Sequence, residues 1–170
     1  ALAMQTASVI DVAAAVGDQP SAAIANGSVT SGKTNGLAIG NFASSGSNQS
    51  IAIGYYSVAT ATEADPALPA TAVGAGANAT GQSTVALGLL AQATSGSTTA
   101  LGAKSVASED AAVAVGYGTK ATGNYASALG ADATASNNDA TAFGHGTVAS
   151  GGSSTALGSR AKAGGTAGVG

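Results

Sequence analysis

From residue 37 onward the chain cycles through large apolar, small and polar positions with a fixed period. An aliphatic residue or Phe, preceded by Ala and followed by Gly, stands at Ile39, Ile53, Val73, Leu87, Leu101, Val115, Leu129, Phe143 and Leu157. These nine copies lie 14 residues apart, except for the 20-residue step from Ile53 to Val73. Taking this apolar position as zero, −1 is Ala and +1 is Gly in every copy. Position −2 holds Leu37, Ile51, Thr71, Val85, Thr99, Val113, Ser127, Thr141 and Thr155. Positions −2 to 0 therefore alternate with period two and are rich in β-branched types, which predicts a short strand. Gly at +1 permits a bend that a Cβ would obstruct.

A second short strand follows. Position +4 is small throughout, and +6 is Ala in every copy but the first, where it is Ser45, so these two columns share a face. Positions +7 to +9 carry turn formers such as Thr80-Gly81-Gln82 and Thr122-Gly123-Asn124. Each unit reads as strand, turn, strand, turn, and a strict repeat of such units predicts an all-β solenoid of stacked 14-residue coils. At the ~4.8 Å spacing of neighbouring strands, nine coils make a rod of roughly 40 Å.

The charges sort by phase. In the regular part, leaving aside the 20-residue step, they are Lys104, Glu109, Asp110, Lys120, Asp132, Asp139, Arg160 and Lys162, all at +3, +5, +8, +9 or +10. None falls at −2, −1, 0, +1, +4 or +6. An Ala- and Gly-rich disordered chain would not distribute charge in this way. Residues 1–36 fit the cycle poorly. Ala15-Val16-Gly17 is a worn copy of the motif, and residues 25–34 resemble half a unit one residue out of register. They are read as degenerate first coils or an N-terminal cap, and residues 37–170 as the repeats, with an inserted loop at about 60–70.

Composition narrows the function classes. With 26 Gly, no Trp and 4% aromatic residues, few side chains can fill a wide core, so backbones must approach closely. An all-Ala column therefore favours side-by-side association of several chains. On this reading the zero column (Ile39, Ile53, Val73, Leu87, Leu101, Val115, Leu129, Phe143, Leu157) fills the roll interior, and the Ala column lies near the contact between chains. Leu101→Asp would then unfold each roll, and Ala100→Leu would chiefly disturb assembly. The absence of Cys excludes disulfides and thiolate metal sites. A net charge of −3 without a basic stripe argues against nucleic acid. No apolar run approaches the ~20 residues of a spanning helix, and residues 1–10 lack the basic start of a signal peptide. The repeat is still running at Ala167-Gly168-Val169-Gly170, so the natural chain is expected to continue.

The pattern of aliphatic or Thr, Ala, aliphatic, Gly, followed by small residue and Ala in a 14-residue unit, resembles the YadA-like head of the trimeric autotransporter adhesins of Gram-negative bacteria. The resemblance implies a left-handed parallel β-roll, a homotrimer around a common axis, and display at the bacterial cell surface. A stalk and an outer-membrane anchor, absent from this chain, would carry the head. It also implies adhesion to host extracellular matrix or cell-surface protein. Within that family the Ser-Val-Ala-Ile-Gly form of the motif is tied to collagen, and Ser50-Ile51-Ala52-Ile53-Gly54 comes closest to it, with Ile51 in place of Val.

Candidate ligand contacts are Ser50 and Ile51 in that motif, and Tyr55 and Tyr56 just after the Gly, in the columns that also hold Phe42, Leu89, Leu90, Tyr117 and His145. Glu63, Asp65 and Leu68 belong to the inserted stretch, which carries two of the three prolines and is predicted to leave the roll as an exposed loop. No catalytic residue, cofactor or metal is expected. His145 is the only histidine and has no partner at a recognisable spacing. Neither a phosphate-binding Gly-x-x-x-x-Gly-Lys run nor a calcium-binding nonapeptide period is present. Two rival readings are a hexapeptide-like solenoid acyltransferase, disfavoured because 14 is not a multiple of six, and an ice-binding solenoid. The latter is disfavoured because Thr fills position −2 in only four of nine copies.

Overall fold

The computed structural model describes residues 22–24, 28–29, 35–61 and 68–170. Each regular coil contributes one three-residue strand, positions −2 to 0, and one two-residue strand, positions +5 and +6. These run from Leu37–Ile39 with Ser44–Ser45 to Thr155–Leu157 with Lys162–Ala163. The longer strands form one ten-stranded parallel sheet and the shorter ones a second. Ala22–Ile24 and Ser28–Val29 stand first in the two sheets. The zero column stacks in phase: Ile39 on Ile53, Ile53 on Val73, Val73 on Leu87, and so to Phe143 on Leu157. The chain is a parallel β-solenoid with a 14-residue coil, as the period predicts.

The 20-residue step leaves this register intact. Ile51–Ile53 pairs directly with Thr71–Val73, and Val58–Ala59 with Asn78–Ala79. Of the predicted loop, Leu68 is exposed, whereas Glu63, Asp65 and Pro66 lie outside the described residues. So does most of residues 1–36.

Each coil is two seven-residue halves of one design. In each half a strand leads into a four-residue turn closed by an N–H to C=O bond three residues back. Examples are Ala77 to Gly74 (3.1 Å) after the longer strand and Ala126 to Gly123 (3.1 Å) after the shorter. The third turn residue has positive φ at both corners: Phe42, Tyr56, Leu90, Lys104, Asp132 and Arg160 at +3, and Gln49, Ser83, Ser97, Ala111, Tyr125, Asp139, Ser153 and Ala167 at +10. This is the signature of a type II turn, which ordinarily wants Gly there. A non-Gly residue in this region costs about 1–2 kcal/mol. The compensation lies in where the turn aims its amide. Leu90 donates to Ala75 (2.9 Å), Lys104 to Leu89 (2.8 Å), Ser97 to Gln82 (2.7 Å) and Asp139 to Asn124 (2.9 Å), each in the coil before. The ladder therefore continues through the corners, and few backbone groups are left unsatisfied at the turns.

The space between the two sheets is lined by methyl groups. The Ala at −1 and the residue at +6, with one exception Ala, are buried, joined in every coil but the last by buried Ala, Ser or Thr at +4 and +11. Nothing larger than Thr is fully buried; Thr84, Thr98, Thr119 and Thr147 are the bulkiest. Interior hydroxyls are satisfied by the turns: Thr98 Oγ1 donates to the Ser95 carbonyl (2.9 Å) and Ser57 Oγ to that of Gly54 (3.0 Å). Where Ser45 replaces Ala, its hydroxyl lies 2.6 Å from that of Ser50, and the pair is buried together.

This arrangement reverses the expectation for the zero column. Ile39, Ile53, Val73, Val115 and Leu129 are half-buried, and Leu87, Leu101, Phe143 and Leu157 are exposed, the last at 64%. They point outward, with position −2, while the Ala column points inward. The cause is steric. Two sheets joined by four-residue turns lie too close for any side chain larger than Thr, so the smallest residues occupy the inside although larger ones would gain more from burial. The backbone that the Ala column admits is that of the opposite sheet of the same coil.

Two consequences follow for stability. Ala100→Leu, overfilling the interior, is expected to destabilise the roll by at least the ~1–3 kcal/mol typical of core overpacking, read as a lower thermal midpoint by circular dichroism; an unchanged midpoint would contradict the methyl-lined core. Gly88 has φ 139°, and a Cβ there would stand 2.6 Å from the Gly102 carbonyl of the next coil. Gly88→Ala should therefore cost more than the ~1–3 kcal/mol of the φ alone, whereas Ser83→Gly, relieving φ 53°, should stabilise by about 0.5–1 kcal/mol.

Candidate functional site

The roll presents three distinct outer surfaces, each built by one phase of the repeat. The first is the outer face of the longer-strand sheet. Because strand side chains alternate, −2 and 0 share this face, and the zero column forms an apolar stripe from Ile39 to Leu157, aliphatic except for Phe143. No charge interrupts it.

The second surface is the corner at +2 and +3. Phe42 and Tyr56 occupy the same turn position in adjacent coils, so their rings stack at the coil spacing, 4.7 Å between centroids and 22° between planes. Tyr55 sets its ring edge-on to Tyr56 at 4.5 Å, and to Phe42 at 6.3 Å. All three are about half exposed. Offset and edge-to-face pairs of this kind are the favoured aromatic geometries. Two coils on, Leu90 lies across Gly76, where a Cβ would come within 2.6 Å of its methyl, and Leu89 and Leu90 extend the apolar corner. Beyond them the corner becomes mixed: Lys104 stands 5.7 Å over the Tyr117 ring, and His145 and Arg160 are exposed.

The third surface is the opposite turn edge, positions +7 to +10, which is polar. A cleft of about 560 Å³ opens there, bordered by Gln82, Ser95, Gly96, Asp110 and Tyr125. Tyr125 was not singled out in the sequence. The available signal was its place as the lone aromatic in a +10 column otherwise of Gln, Ser, Ala and Asp.

The structure separates the candidate contacts chosen from sequence. Tyr55 and Tyr56 come together with Phe42 at the corner. Ile51 is half-buried on the outer face of the longer-strand sheet. Ser50, in contrast, is fully buried: its hydroxyl donates to the Ser47 carbonyl (2.7 Å) and accepts from the Ser47 amide (3.2 Å), so it closes a turn and presents nothing to a ligand. In Ser50-Ile51-Ala52-Ile53-Gly54, only Ile51 and Ile53 turn their side chains outward. Among the described residues no group of three His, Cys, Asp or Glu could hold a metal ion, and no helix is long and apolar enough to cross a membrane.

No curated protein sequence matches this chain. Among solved structures, it is similar to the crystal structure of the collagen-binding domain of the Yersinia adhesin YadA, with a TM-score of 0.60 and 28% sequence identity. The similarity covers 81% of this chain and 65% of that one, so the chain spans about two thirds of its relative's length. The family model of the YadA head domain repeat, a two-copy unit, matches residues 31–57, 69–91, 93–119, 121–147 and 149–169. Five matches in succession cover most of the chain and follow the coil period seen in the structure: this chain belongs to the YadA head domain repeat family.

Proposed function

We propose that this chain is the adhesive head of a bacterial surface trimeric autotransporter, which binds host extracellular-matrix or cell-surface components through repeated weak contacts. Family membership and the likeness to a collagen-binding domain support the reading. The observation that carries it furthest is the aliphatic stripe. A single roll leaves Leu87, Leu101, Phe143 and Leu157 exposed, with half-buried Val115 and Leu129 between them, in one uncharged column. Soluble monomers seldom leave such a patch uncovered. Three left-handed rolls placed side by side would bury their stripes against one another, and the zero column would then be the core of the trimer rather than of the coil.

In such an assembly the polar turn edge and the +5 column, with Lys120 and Lys162, stay in solvent, and every surface feature occurs three times. Multivalent display raises avidity well beyond the affinity of any single contact. Residues 1–36 would supply degenerate first coils or a cap at one end, and an anchor would hold the head at the outer membrane. The loop at residues 60–70 and the Phe42, Tyr55, Tyr56 corner are the parts that vary from the plain repeat, and we assign ligand discrimination to them. The reading involves no catalytic step.

Light-scattering mass tests it directly. The wild-type chain should have three times the chain mass, and Leu101→Asp paired with Leu129→Asp should give a single-chain mass with the β-sheet circular dichroism retained. Binding to a panel of collagen, laminin and fibronectin should fall at least about tenfold on dissociation, as avidity is lost. A wild-type monomer, or matrix binding no better than that of an unrelated solenoid, would contradict the proposal.

A further inference from the structure

The cleft on the polar turn edge lies away from the aliphatic stripe and has no part in the reading above. Four successive coils build it: Gly81 and Gln82, then residues 94–97, then Asp110 and Ala111, then Tyr125. It exists because small residues occupy positions where a larger side chain would fill the groove, notably Gly96 at +9 and Ala111 at +10. At ~4.8 Å per coil the floor is about 14 Å long, the length of two linked sugar rings rather than of a folded partner.

Its chemistry is specific. Asp110 is held by two donors, the Ser95 hydroxyl and the Gly96 amide (3.1 Å), and both fall on Oδ1. No described residue donates to Oδ2. The carboxylate is thereby fixed in orientation with one oxygen available. One coil along, Tyr125 is 64% exposed, and its amide is tied to the Asp110 carbonyl at 2.8 Å, so the two backbones from which ring and carboxylate project are held in register. Gln82, Thr94 and Ser97 add neutral donors and acceptors around the rim. No Lys or Arg lines the cleft, and Glu109 precedes Asp110 in the same turn.

We propose that this cleft binds a neutral saccharide. An exposed aromatic ring offers a platform for the apolar face of a pyranose, an oriented carboxylate accepts hydroxyls through charge-assisted hydrogen bonds, and amide and hydroxyl groups address the rest. A concave site with a few fixed polar groups is the usual form of a small-molecule site. The local negative charge excludes sialylated and sulfated glycans. The site is complete within one protomer and stands whether or not matrix-protein binding does.

Amide chemical shifts of the labelled full chain, titrated with lactose, maltose and chitobiose in the millimolar range, provide the test. At least one of the three should give saturable shifts at Gly96, Ala111 and Tyr125. Tyr125→Ala and Asp110→Asn should each weaken binding about tenfold or more, with the thermal midpoint and matrix-protein binding unchanged. Tyr125→Phe, which keeps the ring, should bind within about threefold of wild type. Silence at these amides with all three sugars would overturn the proposal. So would tighter binding of a heparin fragment than of any neutral sugar, or shifts produced by calcium chloride in place of sugar, which would mark Asp110 as a cation ligand. Loss of matrix binding with sugar binding retained would refute the adhesive reading and leave this one standing.

Discussion

The separation of the two sheets governs the rest of the structure. Four-residue turns at both corners bring the sheets so close that the interior admits a methyl group and little more. From this follow the invariant Ala at −1, the near-invariant Ala at +6, and the limit of Thr on fully buried residues. Such a core contributes little hydrophobic free energy per coil, because each methyl removes little apolar area from water. Cohesion along the axis falls instead to the backbone ladder, which runs through strands and corners alike. Positive φ at the corners is the local cost of keeping every coil's amides aligned with the next.

The same constraint divides labour among surfaces. With the inside closed to large side chains, every Ile, Leu, Val, Phe and Tyr of the regular coils is displaced outward. Their phase then decides what each surface is: an aliphatic stripe on one sheet, aromatic and mixed corners beside it, and a polar edge opposite. Stacked repeats contact only their neighbours, so a substitution at one coil changes one rung of a surface and leaves the others as they were. Phe42 and Tyr56 illustrate this, their rings stacking at the coil repeat because the backbone does.

Period, strand positions, parallel in-phase stacking and the shared face of the +4 and +6 columns were legible in the sequence, since each rests on spacing alone. The face of the longer strand was not. Alternation of Ile51, Ala52 and Ile53 states that Ala differs from its neighbours but not which side is inside. The usual preference for burying the larger residue chose wrongly, because the turns had already set the width. Charge sorting could not correct the choice, for charges avoid the zero column and the Ala column equally. Ser50 was misplaced for a related reason: its likeness to a motif residue concealed that +11 lies opposite +4 in the second half of the coil, facing in. The seven-residue half-unit would have revealed this, yet it shows in φ values and turn bonds far more clearly than in residue identities.

The longer step between Ile53 and Val73 shows what the architecture tolerates. Six additional residues enter at one turn edge, and the strands on either side still meet in phase. Closing a somewhat longer excursion costs only a slowly growing entropy term, while the ladder above and below is untouched. A rod made this way can exchange one projecting segment for another without renegotiating its own stability, so novelty in recognition and constancy of scaffold are separable properties of a single chain.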